Sequence, residues 1–352
     1  MTKMMIAAAM AAATAAVPAT AQFAQWATAK PGKPVAFVAG QALPPELLKR
    51  NKKDDLSGTS RVVIPYFQVQ FVTASKKSSN RTWASLSQSY ALEGLSQGQM
   101  QAITDALYDK FAAALTAQGL SVVGLEEARA QSPNLAKLLT ATQPAPFTGK
   151  TSDGTVSTIM TAKGLPIYFH IGDPERGSMA NIGSRAYWDQ PAAAKELNAA
   201  LVGVRLAVNF VEQASSDKRG LLGIRSSTAK VQSNVSLTIE PLSTHVWIQG
   251  PKKQASIIGQ PVEPVRYYLT SPLIVPDGAV TDVSDATTAG QKRSDTVSTA
   301  FSALLGQWQK NSNKAFVVTV DPAIFREQVG GAMESVDTAM AGLVMSDLTT
   351  AR

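Results

Sequence analysis

Gly94-Leu-Ser-Gln-Gly98 is the stretch whose residue types and spacing could spell out a reaction. The G-x-S-x-G pattern places a serine on a sharp strand-to-helix turn, with a neighbouring backbone N–H ready to hold an oxyanion. Ser96 would then be the nucleophile of an esterase-type serine hydrolase, and an imidazole would have to take its proton. The sequence offers two histidines, His170 and His245. His170 is followed by Asp173 in His-Ile-Gly-Asp, a base with its orienting acid or a pair of metal ligands.

The same serine has a second explanation. An elbow needs an apolar strand directly before it, and Ser87-Gln-Ser-Tyr-Ala-Leu-Glu93 is not one. Ser96 followed by Gln99 fits a capping box, with Leu95 stapling onto Met100 at the start of a helix. We adopt the cap. His170 and Asp173 then read as a strand-end histidine and a turn aspartate before Pro174. His245, in Thr-His-Val-Trp, reads as a hairpin residue whose ring packs near Trp247.

Other chemistries find less. A metal site recruits three or four ligands. With no cysteine, two histidines and no carboxylates at ligand spacing, no metal and no cofactor are expected. The glycines at 172–183 and 220–223 form neither a P-loop nor a dinucleotide fingerprint. No carboxylate pair suggests glycosidase chemistry, and the aromatics are too scattered for a nucleic-acid platform.

The elements around these residues are legible by periodicity. Residues 61–73 open with an apolar run and then alternate, with Phe67, Val69 and Phe71 on one face and Gln68 and Gln70 on the other. A polar stretch, 74–94, reads as a loop. The helix from Ser96 carries Met100, Ile103, Leu107, Phe111 and Leu115 on one stripe and stops at Gly119, before a short strand at 120–123. Strand, helix and strand make a crossover unit. Residues 125–139 are helical, with Pro133 marking a kink or a fresh start. Residues 140–153 read as a loop, 156–164 as a helix and 165–170 as a strand. Residues 191–199 read as a helix with Pro191 in its first turn.

The clearest strand is 201–212, with Val202, Val204, Leu206, Val208 and Phe210 on one face and Arg205 and Asn209 on the other. A second runs over 231–240. The turn at 241–244 is expected to fold 245–248 back on it as a hairpin. Strands are expected at 265–269 and 315–320, and helices at 291–310 and after Asp321, which caps the last one with Pro322 at its first position.

The chain has 352 residues, 45% of them apolar and 17% charged, a globular balance with room for a large core. Its net charge of +7 suits contact with acidic lipid or glycan. The basic cluster at 49–53 is followed at once by Asp54 and Asp55 and reads as a solvated segment. Lys3, the alanine-rich run 4–17 and Pro18-Ala-Thr-Ala21 follow the order of a cleavable export signal, cut after Ala21. Residues 22–60, with four prolines, read as an extended arm.

The order of elements resembles the curli-secretion-channel (CsgG) family. Val62-Val-Ile-Pro-Tyr-Phe67 is similar to its first strand, and 119–129 and 135–139 to its helix, strand and acidic-helix passage. Ala200-Leu-Val-Gly-Val-Arg205, 223–240 and Leu242-Ser-Thr-His-Val246 are similar to its later strand and closing hairpin. The resemblance implies an α/β envelope domain over 61–249 that binds proteins, assembles into rings and lacks catalytic residues. The chain departs from the family's channel members in having no cysteine to acylate. The connections at 213–229 and 250–264 hold Lys218, Arg219, Lys252 and Lys253, not the apolar alternation of membrane strands. A soluble periplasmic relative fits better than a pore.

The expected architecture is therefore α/β (α+β): a mixed sheet with crossover helices and a long antiparallel hairpin, plus C-terminal helices. Residues 1–21 would be the signal, 22–60 the arm, 61–249 the α/β domain, and 250–352 a segment packing on the same body. The expected role is that of an exported, periplasmic or surface-associated assembly or accessory module. Its partners would be other envelope proteins or further copies of itself, and not nucleic acid. A secreted serine hydrolase using Ser96 and a ring-forming outer-membrane secretion component are the alternatives.

Overall fold

A computed structural model describes residues 30–52, 54–81, 84–140, 144–150, 154–168, 186–215, 231–252, 264–276, 278–287 and 310–349. Among them, in chain order, β1 (Val35–Ala36) and β2 (Leu48–Arg50) belong to the arm. Then come β3 (Arg61–Arg81), β4 (Ala84–Glu93), α1 (Gln97–Ala117), β5 (Ser121–Val123), α2 (Leu125–Gln131) and α3 (Pro133–Thr140). They are followed by β6 (Phe147–Lys150), β7 (Val156–Thr161), α4 (Ala186–Leu197), β8 (Ala200–Ser215), β9 (Val231–Ile239) and β10 (His245–Gln249). The chain closes with β11 (Val265–Leu269), β12 (Leu273–Ile274), β13 (Val280–Asp285), β14 (Lys310–Val320) and α5 (Pro322–Thr349). The result is an α/β fold, a mixed and curled sheet flanked by helices.

The long strands β3 and β8 lie parallel at the centre, in register from Val62↔Ala200 to Phe71↔Val208. Pro65 falls where that register shifts, between Val63 and Tyr66, a place where a missing N–H breaks no ladder bond. β5 is parallel to the start of β3, but the antiparallel strand β4 stands between β3 and α1, so the expected strand, helix and strand crossover is interrupted by a hairpin.

Alternation then decides which layer each face meets. Phe67, Val69 and Phe71 join Val202, Val204, Leu206, Val208 and Phe210 in the main core, against the stripe of α1 and Val329, Met333, Val336, Met340 and Val344 of α5. The opposite face, with Val63, Tyr66, Leu201 and Trp247, is covered by Ala128, Leu135 and Leu138 and by Ala193, Ala194 and Leu197 of α4. Each large apolar side chain removed from water this way contributes about 1.5–3 kcal/mol before entropy is counted.

Several local expectations are corrected. The polar stretch at 74–94 is not a loop: β3 runs on to Arg81 and turns into β4, which pairs with it from Ala74↔Ala91 to Arg81↔Ala84. A backbone ladder needs no apolar side chains, so a Ser-rich ribbon gives little periodic signal. Residues 156–161 form β7 rather than a helix, paired to β3 and to β6, which itself lies inside the expected loop at 140–153. A run this short cannot be told from helix by pattern. Of the strand expected at 165–170, residues 169 and 170 lie outside the described residues, and over 165–168 only Ile167 makes an isolated bridge. Helix α4 begins before Pro191, which sits inside it rather than in its first turn. The turn at 241–244 does not reverse the chain. β9 and β10 both run antiparallel to β8, one along 208–215 and the other along 201–205. Where the ladder is interrupted between them, Ala207 N–H donates to the Thr244 hydroxyl at 3.1 Å.

Other expectations hold. The helical stretch 125–139 divides at Pro133 into α2 and α3. Asp321 caps α5, accepting from the N–H groups of Ala323 (2.8 Å) and Ile324 (3.1 Å). The expected helix at 291–310 lies outside the described residues except for Lys310, the first residue of β14.

Candidate functional site

Each part of the Gly94–Gly98 pattern has a local role. Gly94 has φ +94°, and a Cβ there would lie 2.2 Å from the Val320 carbonyl oxygen, so the end of β4 needs a glycine. Ser96 is the N-cap of α1, accepting from Gln99 N–H at 3.3 Å. Gln99 Oε1 in turn accepts from the Ser96 backbone N–H and hydroxyl, each at 2.8 Å. The box is complete, and its serine is exposed on the surface. Leu95 packs on the core that contains Met100.

His170 and Asp173 lie outside the described residues. His245 is buried in β10, opposite Arg205 of β8 and Tyr268 of β11. Its Nδ1 is 3.4 Å from the Leu242 carbonyl oxygen. Two residues along, Trp247 shares its face and lies over Gly203. Around them is a polar layer that alternation alone did not reveal as interior. Arg205 donates to Gln70 Oε1 at 2.5 Å, and Gln70 Nε2 donates to the Ser157 hydroxyl at 2.8 Å. Gln68 exchanges two hydrogen bonds with the backbone of Tyr168. Arg266 is fully buried on the same face. Burial and the neighbouring Tyr168 push the Tyr66 hydroxyl well above the ordinary phenol range. This lattice ties strands in register. Among the described residues no three metal-ligating side chains gather.

A concave surface lies elsewhere, on α5. A groove of about 900 Å³ runs between the arm and this helix. Phe37, Leu43, Leu48 and Leu343 form apolar walls, and Gly331, Ser335, Thr338, Ala339 and Gly342 form a small-residue floor. A second depression of about 410 Å³, between α1 and α5, shares Glu327, Gly331 and Glu334 with it, so the two adjoin. The floor carries an internal conflict. Gly330, Gly331 and Gly342 sit inside a helix, where each costs about 1 kcal/mol relative to alanine. Yet a Cβ at any of the three would meet nothing within 4 Å.

The polar groups of the groove are few. Glu334 is ion-paired to Lys110 of α1, and Glu327 is exposed at the rim. The Gln328 side chain lies over Gly278, and its Oε1 is buried without a hydrogen-bond partner. On the core side of α5, Asp337 is fully buried with Oδ1 unpartnered. Burial, helped by Glu334, raises its carboxyl well above the usual range. Sequence reading missed this site because its walls lie some three hundred positions apart. Its one local signal in the sequence is the Gly330-Gly331 pair inside α5.

Among the described residues no helix is long and apolar enough to cross a membrane. No protein-family model, no curated protein and no solved structure matches this chain.

Proposed function

We propose that this chain is an exported envelope protein without enzymatic activity, acting as an assembly or accessory module that binds other proteins. The observation that carries this reading is the groove on α5. It is long, open and walled by apolar and small residues, as a protein-recognition surface is. The complete capping box supports it from the other side, since the Ser96 hydroxyl is engaged with Gln99 rather than with an imidazole. The export motif at 1–21 and the resemblance to the curli-secretion-channel family are the grounds for placing the protein in the periplasm or at the cell surface.

Two measurements test the reading. A fluorophosphonate probe should leave the purified protein unlabelled. Stoichiometric labelling that disappears in Ser96→Ala would replace the binding module with a serine hydrolase. A photo-crosslinking residue at Thr338, on the exposed floor, should give discrete protein adducts in cells. Recovery of the protein in the cytoplasm with its first 21 residues intact would remove the export half of the proposal.

A further inference from the structure

We propose that β13 pairs with the β13 of a second copy of this chain, in a two-fold antiparallel ladder centred on Val283, so that the sheet runs on through a homodimer. This is independent of the groove on α5. It would hold for a binding module and for a hydrolase alike.

The sheet ends on an uncovered strand. β13 closes the order β9-β8-β3-β4-β14-β13, and among the described strands β14 is its one neighbour. Residues 281–286 are exposed without a break, on both faces of the sheet. Val283 is 45% exposed, one of two large apolar side chains left in water among the described residues. It ends an apolar row. Leu92 of β4 stands opposite Val318 of β14, and Val318 stands opposite Val283. Val318 lies in the main core and Leu92 packs against it, so the row loses its cover at its last member. Edges of this kind are commonly blunted by lysine or proline. From Val280 to Ala286 this one has neither, and its charges are Asp282 and Asp285. The bulge between Val280 and Asp282 interrupts the ladder at its start alone.

The strand is complementary to itself. Ala286 N–H donates to the Ala315 carbonyl at 2.9 Å, so alternation turns the backbone of Ser284 toward β14 and that of Val283 and Asp285 outward. A two-fold axis at Val283 therefore sets N–H against C=O from both copies. The side chains agree with the backbone. Thr281 falls opposite the second copy's Asp285, Asp282 opposite its Ser284, and Val283 opposite its Val283. Each carboxylate meets a hydroxyl, and the two valines cover one another. Neighbouring registers do worse. An axis at Asp282 or Asp285 opposes like charges, and one at Ser284 sets Val283 against Asp285. The two acids thus select a register rather than forbid pairing. A ladder this short makes a reversible dimer, at the low end of interface sizes.

Sedimentation velocity of the full chain over a concentration series should show a monomer–dimer equilibrium. Val283→Lys should weaken the dimer about tenfold or more and leave the circular dichroism spectrum unchanged. Ser284→Lys places a lysine opposite Asp282 on both sides of the axis and should tighten the dimer, whereas Ser284→Asp should dissociate it. The chain has no cysteine, so one can be introduced alone. Val283→Cys should form an interchain disulfide on mild oxidation, because its Cα atoms would stand about 5.5 Å apart across the axis. Ser284→Cys should not, because its offset along the ladder puts its two Cα atoms more than about 7 Å apart.

The proposal is overturned if the chain stays monomeric throughout the series, or if a dimer forms that Val283→Lys leaves intact. It also fails if Ser284→Lys weakens the dimer and Ser284→Cys crosslinks in place of Val283→Cys, which would move the axis. A photo-crosslinker at Val283 that captures other proteins in cells, and no second copy, would make the occupant a foreign strand and reject the homodimer.

Discussion

A methyl group at Gly203 would lie 2.2 Å from the Trp247 ring, because the indole lies over the backbone of β8 and packs beside Tyr66, which stacks on Tyr168. Gly203→Ala must therefore displace a buried aromatic cluster. We expect a loss of about 1–3 kcal/mol, read from the midpoint of urea unfolding. Ser96→Ala removes half of the capping box and should cost about 1 kcal/mol of stability without changing the fold by circular dichroism. Asp337 makes a pH prediction. Its carboxyl ionises above its ordinary range in the folded state, mainly through burial and secondarily through Glu334. Below the unfolded value of 3.8 both states hold the proton and the group contributes nothing. As pH rises past that value the unfolded chain releases its proton first, so stability falls until the folded carboxyl also ionises. Asp337→Asn should flatten that decline and raise stability at neutral pH. An unchanged profile in chemical denaturation would show that Asp337 has a partner in solution.

Helix α5 shows how one element can serve two ends. Its buried side, from Phe325 to Leu348, is an apolar stripe, interrupted by Asp337 and Asp347, that anchors the main core. Its open side carries the three glycines. Gly330→Ala, at the smaller depression, should stabilise the protein by about 0.5–1 kcal/mol in thermal unfolding, since nothing opposes the new methyl group. A loss instead would mean that α5 bends or opens at this point. The ribbon of β3 and β4 makes the complementary case. Its outer part is Ser-, Ala- and Lys-rich, and its place in the sheet comes from paired backbones rather than from a buried stripe.

At the scale of the molecule, the arm and the last helix are joined through one buried acid. Asp347 of α5 accepts from the Tyr267 hydroxyl of β11 at 2.9 Å and pairs with Arg50 of β2 at 3.1 Å. Arg50 also lies over the Tyr267 ring. The arm is thereby part of the body. β1 pairs with β12, β2 pairs with β11, and Gly58 N–H donates to the Leu348 carbonyl. Asp347→Ala leaves a largely buried guanidinium without its counter-charge, and about 3–5 kcal/mol should be lost. Arg50→Met combined with Asp347→Leu should cost less than the alanine variant alone, because no charge is then stranded. Comparing their unfolding free energies checks this.

What could be read without coordinates was whatever repeats locally. Alternation located the cores of β3 and β8, the stripe on α1 followed from Met100 to Leu115, and Ser96, Pro133 and Asp321 marked where helices begin. These signals exist because a face that must be dry imposes a period on the chain that forms it. Backbone pairing imposes none, so β7, the Ser-rich ribbon and the shared edge of β8 emerged only once the strands were placed side by side. The groove is the extreme case. Phe37 and Leu343 become opposite walls only after the arm has paired with β11 and β12 and α5 has settled on the core. No local rule connects residues so far apart, and the contacts that bring them together are tertiary ones.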